Sequence, residues 1–144
     1  MSYKNGNMKT IELHENGLDI QFRIRENGVV ELADFSSQEV KKAVMEPKED
    51  ICYPAVEIHR SGTGSLNMHA YKNNINQSSV DFVYEKHELK EQDGGKELEI
   101  VMVSPEKLKA VYHMRLFDGV PAVQTWTEIT NEGSEDQGLT YVSS

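Results

Sequence analysis

The stretch Thr10–Leu32, TIELHENGLDIQFRIRENGVVEL, alternates apolar and polar residues and breaks the alternation twice, each time with Glu-Asn-Gly, at Glu15–Gly17 and Glu26–Gly28. Asn-Gly between alternating runs is a strong hairpin signal, because both residues accept positive φ and so match the right-handed twist of paired strands. Between the two turns Ile20, Phe22 and Ile24 alternate with Asp19, Gln21, Arg23 and Arg25. Such a run has one apolar and one wet face, as in an outer layer of a sandwich. The segment predicts a three-stranded antiparallel meander.

The same period continues through most of the chain. Cys52–Arg60 (CYPAVEIHR) reads as a strand, with Pro54 at its start or on a sheet edge. Leu66, Met68 and Ala70 alternate after a glycine-rich turn. Val80, Phe82 and Tyr84 fall on one face of a further run. Leu98, Ile100 and Met102 share a face after Gly94-Gly95, and Ala110, Tyr112, Met114 and Leu116 share another. Asp118-Gly119 turns the chain into a strand in which Val123, Thr125, Thr127 and Ile129 lie together. Asn131–Gly138 is a polar turn, and a last strand begins at Leu139. Only Ser36–Asp50 resists the pattern. Ser36 with Glu39 fits a capping box and Val40 and Val44 are four apart, so a turn or two of helix and an irregular charged connection both fit; Pro47 ends any helix. The expectation is an all-β antiparallel sandwich of nine or ten strands with at most one short helix, formed by a single domain over residues 1–144.

With 144 residues the chain is long enough to bury a core without disulfide staples. Its formal net charge of -9 opposes phosphate backbones and anionic lipid, so neither nucleic acid nor a membrane is an expected partner. Cys52 is the sole cysteine, no run reaches membrane-spanning length and the N-terminus has no signal-peptide core. A cytoplasmic location is expected on these grounds.

Candidate chemistry is sparse. The 24 acidic residues fall mostly on polar strand faces and in turns, as do Glu97, Glu99, Glu132, Glu135 and Asp136. His14, His59, His69, His87 and His113 include no close-spaced ligand pair, although His59, His69 and His113 lie in predicted strands that could converge. Cys52 reads as a small buried hydrophobe. Gly62 and Gly64 in Arg60–His69 lack the rest of a phosphate loop and read as a turn. No catalytic residue, metal ligand or cofactor is expected. Trp126, the only tryptophan, shares a face with Gln124, Glu128 and Thr130, opposite Val123 and Ile129. It faces outward, or into a contact with another domain, if those neighbours face the core; burial in the core is the competing placement. Trp126, Tyr71 and Tyr84 are the candidate carbohydrate or interdomain contacts.

The run Val111–Ser144, VYHMRLFDGVPAVQTWTEITNEGSEDQGLTYVSS, resembles the amino-terminal domain of family-36 glycoside hydrolases, the α-galactosidases. The positions that carry the resemblance are Asp118, Val120, Pro121, Trp126, Glu128, Asn131, Gly133, Leu139, Ser143 and Ser144. Tyr53–Lys72 is similar to that family's Pro-x-x-Glu strand and following turn, at Pro54 and Glu57. The resemblance implies a supersandwich fold like that of galactose mutarotases, packed against a (β/α)₈ barrel that holds both catalytic aspartates of a retaining mechanism.

On that resemblance the chain is the non-catalytic amino-terminal part of a longer α-galactosidase-like enzyme. Its partner is its own catalytic barrel, and a galactoside substrate belongs to the parent enzyme. It would brace the barrel, shape the pocket rim and help subunits associate as a homo-oligomer. The strand at Leu139–Ser144 would then continue into neighbours beyond it. The alternative is a free-standing carbohydrate-binding sandwich. A small metal-dependent sandwich enzyme with histidine ligands is a third reading.

Overall fold

The computed structural model of the protein describes residues 8–38, 52–64 and 76–143, with the backbone alone at 68–69 and 72–73. The candidate helix lies outside these residues except at its start, and there Ser36 and Ser37 belong to a strand. In chain order the elements are β1 (Lys9–Glu15), β2 (Leu18–Ile24), β3 (Val30–Ser37), β4 (Ile58–Arg60), β5 (Met68–His69), β6 (Lys72–Asn73), α1 (Gln77–Val80), β7 (Val83–Gln92), β8 (Gly95–Val103), β9 (Leu108–Phe117), β10 (Val120–Asn131) and β11 (Leu139–Val142). The fold is all-β, with antiparallel sheets and no closed barrel. Among the described residues there are eleven strands rather than nine or ten, because the glycine-rich region contributes two of only two residues each.

The meander forms as the Asn-Gly signals require. Glu15 pairs with Leu18 across a two-residue loop in which Asn16 and Gly17 have φ of 54° and 83°. The second turn differs: Gly28 alone is left-handed, at φ 85°, and its amide donates to the Arg25 carbonyl at 2.9 Å. The Arg25 amide donates to the Val29 carbonyl at 2.9 Å, which leaves a three-residue loop, and a Cβ on Gly28 would lie 2.9 Å from that of Val83, so the turn sits directly on β7.

One layer is the sheet β1-β2-β3, which Pro54 joins through a bridge to Glu31; β4 and β11 pair as a separate two-stranded sheet. The other is the sheet β10-β9-β8-β7. Between them lie Ile20, Phe22 and Ile24 from one side and Leu98, Ile100, Met102, Ala110, Tyr112, Met114 and Leu116 from the other, all buried. Each large side chain here contributes about 2 kcal/mol by leaving water. Phe22 meets Tyr112 edge-on, with ring centroids 5.6 Å apart. Val123 and Ile129 pack half-buried against this core, as their alternation predicts.

Three expectations need correction. Cys52–Arg60 is strand only from Ile58, because Pro54 allows just a bridge and Ala55 turns its amide to the Val30 carbonyl at 2.7 Å. Val80 does not share a strand face with Phe82 and Tyr84; it ends α1, which Asn76 caps by accepting the Ser78 amide at 3.0 Å. The alternation of β7 is also broken by a bulge between Tyr84 and Lys86, which lets Tyr84 and His87 meet at 2.8 Å.

Beside the short strand β4, serines of α1 stand in for a neighbouring strand. Ser78 Oγ donates to the Ile58 carbonyl at 2.5 Å and accepts the Arg60 amide at 3.1 Å; Ser79 Oγ accepts the Ile58 amide at 2.9 Å. Arg60, itself buried, pairs with Asp81 at 3.1 Å and Glu106 at 2.8 Å. No helix among the described residues is long and apolar enough to cross a membrane.

Candidate functional site

Antiparallel pairing places directly opposed residues on the same face. Trp126 opposes His113 and His113 opposes Glu99, so these three form a row across β10, β9 and β8 on the face turned away from the core. Glu97 opposes Arg115 in the next row. The outer face of the four-stranded sheet therefore gathers an indole, an imidazole and carboxylates, even though Trp126 and Glu97 are far apart in sequence.

The arrangement is tightly bonded. The Trp126 and His113 rings stack with centroids 4.6 Å apart and planes 3° from parallel. His113 Nδ1 is 2.9 Å from Glu97 and 3.9 Å from Glu99, and its Nε2 is 3.5 Å from the Glu128 carboxylate. His113 is 6% exposed and Glu97 7%, low values for an outward face. Gln92 donates to the second Glu97 oxygen at 2.7 Å, and Lys90 Nζ to Glu99 at 2.6 Å. That hydrogen bond to Glu99 holds the Lys90 ammonium above its usual range.

Glu97, Glu99 and His113 bring ligand atoms within 4.8 Å of one another, close enough for a cation. Most of that set is already engaged: the Lys90 ammonium holds one oxygen of Glu99, and His113 and Gln92 use both oxygens of Glu97. A metal would have to displace them. The same engagement argues against catalysis by Glu97 and Glu99. They flank an imidazole on one sheet face rather than opposing each other across a sugar-sized gap. The sequence could have signalled this group through its Glu-x-Glu run on a strand paired with the histidine strand, a convergence that only the pairing reveals.

The other predicted residues lie elsewhere. Tyr84 packs against the core from β7, the opposite edge strand of the sheet from β10, so it and Trp126 do not form one platform. Tyr71 lies outside the described residues. His59 bonds Glu57 at 2.7 Å and tilts against Tyr141 at 5.1 Å, whereas His113 is engaged with Glu97 and Trp126; the side chain of His69 is not described. Cys52 is half-buried. Burial, then the adjacent Glu31 carboxylate, push its thiol up to about 12 against a downward pull from Arg25, which leaves it unreactive. Trp126 takes the outward placement, half-buried rather than in the core.

These features define a two-layered antiparallel β-protein with an aromatic and carboxylate cluster on one outer face. No model of a protein family matches the chain, and no curated protein matches it. Among solved structures, a substituted GH36 alpha-galactosidase from Geobacillus stearothermophilus in complex with raffinose superimposes on 87% of this chain with a TM-score of 0.60 and 13% sequence identity. The chain spans 22% of the length of that protein. At this identity the likeness is one of fold.

Proposed function

We propose that the chain serves as the non-catalytic β-sandwich part of an α-galactosidase-like glycoside hydrolase. It would pack against a (β/α)₈ barrel that carries the paired catalytic aspartates. The observation that carries this reading is the fold likeness itself: most of this chain is matched by about one-fifth of a much longer α-galactosidase. Two features of the described residues are consistent with it. On the outer sheet face Glu97 is held by His113 and Gln92, and Glu99 by Lys90, which suits a bracing role rather than a reacting one. And Leu32 and Phe35, cross-strand partners of the core residues Phe22 and Ile20, stay 41% and 48% exposed, so the sandwich is open along β3 where a second domain could cover it.

The test is turnover of an aryl α-galactoside together with the reading frame downstream of the Ser144 codon. The chain alone is expected to release no product, and the downstream frame to encode a barrel with two catalytic aspartates. Hydrolysis by the isolated chain, or a stop codon directly after Ser144, overturns the proposal.

A further inference from the structure

We infer that the outward indole of Trp126, with Gln124 and Glu128 beside it, is a binding platform for a pyranose ring. This goes beyond the scaffold reading, which requires no ligand contact within this chain.

A sugar platform needs a flat aromatic face held in a fixed plane, exposed on one side and flanked by hydrogen-bonding groups. The plane of Trp126 is fixed from behind by the parallel His113 ring, 4.6 Å away. His113 is in turn immobilised by burial and by its 2.9 Å contact with Glu97. The platform is thus pre-organised and loses little side-chain freedom when it is occupied. β9, which carries His113, pairs with one side of β10; among the described residues no strand pairs with the other, and Trp126 is partly exposed. Gln124 and Glu128, two positions before and after on the same strand face, are both exposed and bring an amide and a carboxylate to the rim of the ring.

The ligand class follows from this chemistry. A carboxylate and an amide accept and donate to sugar hydroxyls, and the indole face takes the apolar C–H face of the ring. A galactopyranoside suits it well, because its axial hydroxyl leaves ring C–H bonds gathered on one side. A metal ion suits it poorly, since both oxygens of Glu97 are held by His113 and Gln92 and one oxygen of Glu99 by Lys90.

Trp126 is the only tryptophan in the chain, so tryptophan emission, excited selectively over the tyrosines, reports this site alone. Titration with methyl α-galactopyranoside is expected to shift the emission saturably, with a Kd of about 1–10 mM, as befits a single-ring contact. Galactitol, which keeps the galacto arrangement of hydroxyls at C2, C3 and C4 but has no ring, is expected to leave the emission unchanged. By calorimetry, Trp126→Ala is expected to abolish binding. Glu128→Gln, at a side chain 64% exposed and therefore harmless to folding, is expected to weaken binding about 3- to 10-fold. An emission that does not saturate by about 100 mM methyl galactoside, an equal response to galactitol, or unchanged affinity in Glu128→Gln overturns the inference. None of these results bears on whether the chain hydrolyses galactosides, so this site and the scaffold reading fail separately.

Discussion

Asn16 reaches across the sandwich to the turn that follows Phe117: its side-chain amide donates to the Phe117 carbonyl at 2.8 Å, and its oxygen accepts the Gly119 amide at 2.9 Å. The first hairpin and the β9-β10 hairpin are thereby joined end to end. A residue chosen for its tolerance of positive φ also pins the two layers together.

Asn16→Gly keeps the left-handed backbone of the turn and removes both interlayer hydrogen bonds. It is expected to lower stability by about 1–2 kcal/mol, measured by urea unfolding. Asn16→Ala loses the same bonds and adds backbone strain, so it is expected to cost about 1 kcal/mol more. Equal stability of Asn16→Gly and the unaltered chain would show that the bonds contribute nothing.

Glu97→Ala strips His113 of its partner in a nearly water-free site and leaves Gln92 without its acceptor. The expected loss is about 2–3 kcal/mol, from an orphaned buried polar group. The Trp126 emission is expected to shift to longer wavelength as the ring behind it loosens. Glu97→Gln, which preserves shape and one acceptor, should cost about half as much. A Glu97→Ala variant as stable as the parent would sink the idea that this buried contact holds the stack.

Acid should weaken the corner around Arg60. Burial tends to raise the Glu106 carboxyl, but hydrogen bonds from its own backbone amide, Arg60 and Ser104, with the Arg60 charge, outweigh burial and hold it below its ordinary value of 4.5. A depressed folded-state value means that the stabilisation is fully present above 4.5 and is lost as pH falls through the lower, folded-state value. Melting temperatures taken between about pH 3 and 6 should fall less steeply for Glu106→Gln than for the parent. Identical slopes would remove Glu106 from the acid response.

The meander and the strands Gly95–Val103 and Leu108–Phe117 were legible because a buried face imposes strict alternation, and Asn-Gly and Gly-Gly mark the turns between alternating runs. Where short-range signals compete, the reading failed. Asn76 and the serines after it favour a capped turn over the strand that Val80 suggested, and the bulge at Glu85 has no sequence signature strong enough to announce it. Val123 and Ile129 offered the outward placement of Trp126 as one of two, and the pairing of β10 with β9 decides between them. The Glu97, Glu99 and His113 group was not legible at all. Alternation says which face a residue takes but not which strands are neighbours, and the group exists only because β8 pairs with β9 in that register.

A strand edge with free amides and carbonyls is a template on which an incoming chain can pair, and a strand as short as Ile58–Arg60 keeps that template small. Here the hydroxyls of Ser78 and Ser79 already hold the Ile58 and Arg60 main chain, so an invading peptide finds no template on that side. Two small polar side chains on a single helical turn thus occupy main-chain groups that an added strand would need.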